Sequence, residues 1–291
     1  MLYEIHLRTK CTYLRTANGR QLLRLMPADG PDGQRLIAGS VDIRPAPSER
    51  SDRYDFFGNH AIEVCFATAQ DEVEFVLRAR VERVAQPIRF DLSPRLDAMA
   101  GDIERIDSLG PLSPHHFLDI SDMVRPSVEI ADYVRSLVHD DMTVLEAVRT
   151  INAALHRDMT YDGDATTVDT PMEEAFAARQ GVCQDFSHIM IACLRELGVP
   201  AGYVSGFLRT EPPKGKPRLE GADAMHAWVQ AWCGLKLGWI EFDPTNDMLA
   251  GVDHVAAARG RDYSDVAPVR GFLRTAGGQD IAQAVDVVPV G

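Results

Sequence analysis

A cysteine set just past a glycine turn, at the head of a strongly apolar helical run, constrains this chain more than any other feature. The run is Arg179-Gln180-Gly181-Val182-Cys183-Gln184-Asp185-Phe186-Ser187-His188. Beyond it the apolar residues Phe186, Met190, Cys193, Leu194 and Leu197 recur at helical spacing. Gly198 and Pro200 stop the helix. The pattern predicts a buried helix with Cys183 in its first turn. Free backbone N–H groups and the positive end of the helix dipole favour a thiolate there. The same N–H groups suit a developing oxyanion.

A nucleophilic thiol needs a base, and the base needs a group to orient it. Downstream, Ala224 to Val229 offers His226, and Gly238 to Thr245 offers Asp243. Asp223–Cys233 and Leu237–Asp243 read as strands joined around Gly234–Gly238. In such a hairpin the midpoint between His226 and Asp243 falls inside the turn. The expected register therefore puts the two side chains opposite each other on one face.

Three segments taken together, Gly181-Val-Cys-Gln-Asp-Phe, His226-Ala-Trp-Val and Phe242-Asp-Pro-Thr-Asn, resemble the bacterial transglutaminase-like proteins. That family is similar to papain-type Cys-His-Asp enzymes. The resemblance covers nearly the whole chain, including a β-rich N-terminal domain typical of the bacterial branch. It implies an α+β fold with a helix-borne cysteine packed on an antiparallel sheet that carries His and Asp. It makes Cys183 the nucleophile, His226 the base and acid, and Asp243 the orienter of the imidazole. The implied reaction is acyl transfer from a peptide or protein amide through a thioester, with no cofactor. Hydrolysis of a peptide or isopeptide is the favoured outcome. Transfer to an amine and a non-catalytic peptide-binding domain are the alternatives. In the crosslinking transglutaminases of animals tryptophan follows the nucleophile; here Gln184 does. Gln180 and Tyr161 are candidate second oxyanion donors, with Gln184 and Trp228 placed near the site. Asp185, Arg261, Asp262 and Tyr263 are assigned to the cleft, although Asp185 and His188 fall off the Cys183 face of the helix and also fit a supporting role.

The remaining chain is consistent with that frame. Residues 1–85 read as a β domain: Tyr3, Ile5 and Leu7 alternate, as do Val73, Phe75, Leu77, Ala79 and Val81. Residues 86–127 are a proline-rich junction. Residues 128–271 form the catalytic core. Ile130 to Val138 gives one helix, Thr143-Val-Leu-Glu146 caps a second, and Thr170-Pro171 starts a third. Residues 272–291 are expected to form a C-terminal hairpin turning at Gly277-Gly278. Glu211–Pro217 is expected as a polar loop at the cleft rim.

With 291 residues there is material for two domains. The net charge of −13 argues against nucleic acid or an anionic membrane surface as partner. No run of about 18 apolar residues is present, so no membrane span is expected. The five cysteines are an odd number without C-x-x-C spacing, which fits reduced thiols in a cytoplasm. The first residues show no signal-peptide pattern. His115 and His116 lack ordered partners for a metal, and no metal is expected. A zinc-binding regulator built from Cys183, His188 and His226 is the remaining alternative.

Overall fold

The computed structural model describes residues 1–30, 33–210, 221 and 223–290. The loop expected at Glu211–Pro217 lies outside the described residues. Four strands open the chain: β1 (Leu2–Leu23), β2 (Gln34–Arg44), β3 (Glu49–Tyr54) and β4 (His60–Arg83). The alternating residues Tyr3, Ile5, Leu7, Phe75, Leu77 and Val81 are all buried. Between them, polar side chains pair across the open face, as Arg8 does with Glu74 and Arg80 with Glu4. β1 and β4 run antiparallel from Leu2↔Glu82 to Leu23↔Ile62, with one irregular stretch beyond Thr12. β2 and β3 share the other edge of β4.

The proline-rich junction carries one short α-helix, α1 (Met99–Ile103), and two 3-10 turns, Leu96–Ala98 and Pro114–Phe117. Then come α2 (Val128–Leu137), α3 (Val144–Asp158), β5 (Thr160–Tyr161), α4 (Met172–Ala178), β6 (Gln180–Gly181) and α5 (Cys183–Glu196). Thr143 caps α3 by accepting the Glu146 N–H at 3.2 Å. Pro171 occupies the N-cap of α4 rather than its first helical position. A second sheet follows, from β7 (Ala201–Leu208), β8 (Ala224–Trp232), β9 (Trp239–Asp243), β10 (Met248–Leu249) and β11 (His254–Gly260). Its order is β10-β9-β8-β7-β11, with every pairing antiparallel. α5 is buried along most of its length: Ile189, Met190, Cys193 and Leu194 share one core with Tyr203, Ala227, Val229 and Ala231. Each of the large aliphatic side chains contributes about 2 kcal/mol by leaving water. This is the α+β arrangement expected, with the helix that starts at Cys183 laid on the sheet that carries His226 and Asp243.

The chain closes with α6 (Tyr263–Val266), β12 (Val269–Arg274) and β13 (Gln279–Val290). Here the expected hairpin is wrong. β12 and β13 both pair with β1, from Leu23↔Val269 to Asn18↔Arg274 and from Tyr13↔Gln279 to Leu2↔Val290. Both stretches keep the same register and direction, so the Gly277-Gly278 stretch is a break in one long strand. The physical reason is β1 itself: its 22 residues present a full-length edge, and a chain that satisfies that edge leaves fewer unpaired backbone groups than a short exposed hairpin.

Candidate active site

The chain reaches Cys183 through a tightly specified entry. α4 ends on Arg179 in the left-handed region, φ 55°. Its guanidinium lies over the Phe176 ring at 3.9 Å and the Tyr133 ring at 5.0 Å, which offsets the backbone strain. β6 then pairs in parallel with β5, Tyr161 beside Gly181. α5 begins at Cys183, capped by Asp185, whose Oδ2 accepts the Val182 N–H at 2.7 Å and the Thr166 hydroxyl at 2.6 Å. Cys183 therefore takes the first helical position, where its N–H has no intrahelical acceptor.

His226 and Asp243 meet, though not in the expected register. β8 and β9 pair Val229 with Phe242 and Trp232 with Trp239. Asp243 is thus shifted by two residues from a position directly opposite His226. A two-residue shift keeps both side chains on one face, and the longer diagonal is spanned by the imidazole. His226 Nε2 lies 2.8 Å from Asp243 Oδ2. That leaves Nδ1 as the ring nitrogen not taken by Asp243, with Cys183 near enough to act on the imidazole electrostatically. Burial opposes the imidazolium, but the bond to Asp243 and the nearby Cys183 outweigh it and raise His226 to about 10. Burial alone would raise the Asp243 carboxyl. Hydrogen bonds from His226 and His254 outweigh that and hold it well below the ordinary carboxylate range.

Residues 131–244 match the transglutaminase-like superfamily, and residues 3–82 match the bacterial transglutaminase-like N-terminal region. An uncharacterised protein of Mycobacterium tuberculosis is 35% identical over 268 residues, covering 88% of this chain and 82% of its own. The chain belongs to the transglutaminase-like superfamily. An uncharacterised protein of Mycobacterium leprae is 39% identical over 129 residues, 44% of each chain. The solved structure of a candidate cysteine protease from Cytophaga hutchinsonii superposes with a TM-score of 0.75 at 20% identity, covering 100% of this chain and 92% of that one. At that identity the likeness is one of fold.

In this transglutaminase-like protein several residues assigned from sequence have other work. Gln184 donates its amide to the Val168 carbonyl at 3.0 Å, pinning the loop before α4. The Trp228 indole N–H goes to Glu241 at 3.0 Å, and Glu241 is also held by Arg259 at 2.7 Å. The single indole N–H of Trp228 is thereby committed, while its ring lies against His226 with centroids 6.1 Å apart. Asp185 is buried as the cap of α5, out of the cleft. Asp262 is buried too, accepting the Met123 N–H at 2.7 Å and capping α6 through the Ser264 N–H at 2.9 Å. Arg261 is paired with Asp265 at 2.8 Å. Tyr263 donates its backbone N–H to His188 Nε2 at 3.2 Å. Arg261, Asp262 and Tyr263 thus brace the region around α5. Tyr161 differs from these. It is 58% exposed, and its hydroxyl is raised by burial and then by the nearby Cys183. Gln180 contributes its backbone to β6, and its side chain is exposed.

Sequence reasoning missed His254. It donates from Nε2 to Asp243 Oδ2 at 3.0 Å. His226, Asp243 and His254 bring their ligand atoms within 4.8 Å of one another. A metal does not fit them. The Gly251 N–H donates to His254 Nδ1 at 3.2 Å, which puts the imidazole proton on Nε2. The lone pair a metal needs is therefore absent at the atom facing Asp243. The grouping of Cys183, His188 and His226 considered from sequence is not assembled either, since His188 Nε2 accepts the Tyr263 N–H.

One chemical consequence is testable without a substrate. Cys11, Cys193 and Cys233 are buried, and burial pushes the Cys193 and Cys233 thiols up to about 12. At pH 7, iodoacetamide is expected to alkylate Cys183 at least about 10-fold faster than any other cysteine, and His226→Ala is expected to remove that advantage. Peptide mapping of the adducts checks this. Even labelling, or labelling concentrated on the half-buried Cys65, would contradict it.

Proposed function

We propose that the protein breaks an amide bond by acyl transfer to Cys183, and that the acyl group then passes mainly to water. The observation that carries the proposal is His226 bonded to the buried Asp243 carboxylate at 2.8 Å, with Cys183 close enough to raise the imidazole. Cys183 gives its proton to His226 Nδ1, and the sulfur attacks the amide carbonyl carbon. The carbonyl oxygen becomes an oxyanion beside the Cys183 N–H, with the Tyr161 hydroxyl as the candidate second donor. His226 returns the proton to the leaving nitrogen, the C–N bond breaks and a thioester remains. A water molecule then loses its proton to His226 and attacks the thioester. The C–S bond breaks, and the acid and the thiol are released. Asp243 keeps Nε2 protonated throughout, so that Nδ1 is the working atom.

Water is favoured over an amine by the surroundings of the thiol. A lysine amine, ordinarily near pKa 10.4, is almost wholly protonated at pH 7 unless a dry channel strips its water. Tyr161, beside the thiol, is more than half exposed. The test is a competition between water and a fluorescent primary amine at millimolar concentration for one acyl donor at neutral pH. Free acid is expected to dominate. An excess of amide product would make the protein a transferase instead. The five free thiols suit a reducing compartment, and we place the activity in the cytoplasm on that basis.

A further inference from the structure

Asp243 serves two histidines. Its Oδ2 accepts from His226 Nε2 at 2.8 Å, His254 Nε2 at 3.0 Å and Asn246 Nδ2 at 2.7 Å. Its Oδ1 accepts the backbone N–H groups of Thr245 at 3.0 Å and Asn246 at 3.1 Å. The carboxylate is fully buried. With both oxygens occupied it has no alternative rotamer that keeps these partners. His226 is the proposed base for Cys183, so it is a member of the proposed reaction. The His254 ring is buried and stands tilted to that of His226, centroids 6.2 Å apart at 52°. It also stands edge-on to Trp228, centroids 5.2 Å apart at 80°, and Trp228 lies against His226 at 6.1 Å and 29°. The same two imidazoles are thus tied together on one side by a carboxylate and on the other by an indole.

The geometry points to His254 as a positioning residue for the Asp243–His226 pair, set in place by the N-terminal domain. This rests on the proposed role of His226 as base. The short segment around His254 is fastened to the first sheet on both sides. Asp253 accepts from the Tyr3 hydroxyl at 2.8 Å. The Arg83 guanidinium donates to the Gly251 carbonyl at 3.3 Å. Past His254, the Gln34 side chain donates to the Ala256 carbonyl at 2.7 Å and accepts the Ala256 N–H at 2.9 Å. Tyr3, Gln34 and Arg83 all belong to the first four strands. The N-terminal sheet therefore fixes the start of β11, β11 fixes His254, and His254 fixes the oxygen that orients His226. A histidine suits the place because one ring meets two demands: an acceptor for Gly251 on Nδ1 and a donor for Asp243 on Nε2.

Two polar variants separate these demands. His254→Gln places an amide N–H near the position of Nε2 and keeps the donation to Asp243. His254→Asn keeps an acceptor for Gly251 but is too short to reach Asp243. In the full-length protein, iodoacetamide labelling of Cys183 is expected to slow by about 10-fold in His254→Asn and by less than about 3-fold in His254→Gln, in line with losses on removing the outer partner of a functional histidine. Equal rates in the two variants would overturn the proposal, because filling the site with a polar side chain would then be enough. Proton NMR of imidazole-labelled wild-type protein supplies a reading that needs no variant of His254. Two downfield Nε2 protons, from His226 and His254, are expected, and both should be lost in Asp243→Asn. Absence of the His254 signal would also overturn the proposal. Neither measurement involves amide turnover, so a failure of the proposed reaction would show separately, as a reactive Cys183 with no cleaved substrate.

Discussion

Asp243→Asn is expected to give a folded protein in which amide turnover falls by at least about 10²-fold, as in other triads that lose their carboxylate. An asparagine can present its oxygen to only one of the two donor sets. If the oxygen faces the Thr245 and Asn246 backbone N–H groups, the amide nitrogen faces His226, His254 and Asn246. His226 must then move its proton to Nδ1, where the thiol proton should go. His254 must also move its proton to Nδ1, against the Gly251 N–H. The reverse orientation sets the amide N–H group against two backbone donors that cannot rearrange. Either way the base is in the wrong tautomer or unsupported. Turnover near the wild-type value in a folded mutant would remove Asp243 from the site.

The same substitution changes how stability depends on pH. His226 is raised to about 10 in the folded protein, from an ordinary value near 6.5. Its contribution to stability is therefore complete below about pH 6.5 and is lost as pH rises towards 10. Asp243 is depressed in the folded protein. Its contribution is complete above the ordinary carboxylate value near 3.9 and is lost as pH falls below it. Chemical denaturation across this range should show a plateau between about pH 4 and 6.5 in the wild type. Asp243→Asn should flatten both flanks.

Gly181→Ala is expected to cost about 3–5 kcal/mol, from steric overpacking, loss of the helix cap and a buried carboxylate left without partners. A Cβ on Gly181 would sit 2.5 Å from Asp185 Oδ2, 2.7 Å from its Cβ and 2.8 Å from its Cγ. Asp185 cannot retreat without surrendering the Val182 N–H and the Thr166 hydroxyl. Burial already pushes its carboxyl up, and those bonds are what oppose the rise. The displaced cap is two residues from Cys183, so the thiol moves with it and turnover is lost. Calorimetry should record a drop in melting temperature of about 10 °C. A change of less than about 1 kcal/mol would mean that Asp185 does not cap α5 in the way described.

The helix at Cys183 was legible because its signals are local: a glycine, a cysteine and an apolar period. His226 and Asp243 were legible because a hairpin links positions close in sequence, although the register differed by two residues. That offset depends on how Gly234 and Gly238 close the loop, with Gly238 N–H donating to the Gly234 carbonyl and Cys233 N–H to the Gly238 carbonyl. Such closure is decided by backbone geometry within the turn. The C-terminal strand was misread because a Gly-Gly pair is a good hairpin signal, whereas its true partner, β1, lies at the opposite end of the chain. The same limit hid His254. Nothing in its neighbours marks it, and it gains meaning only when β10 turns the chain back towards Asp243. Gln184 and Trp228 were placed near the chemistry from sequence position. One amide N–H of Gln184 goes to Val168 and the Trp228 indole N–H to Glu241, which no spacing in the sequence discloses.

The most direct measurement is turnover of a peptide and isopeptide library by the wild-type protein and by Cys183→Ala, with products identified by mass. The expected result is amide cleavage by the wild type, with a transient acyl adduct on Cys183, and no cleavage by Cys183→Ala. Cleavage by Cys183→Ala at the wild-type rate, or a library left intact by wild-type protein that binds its peptides, would contradict it.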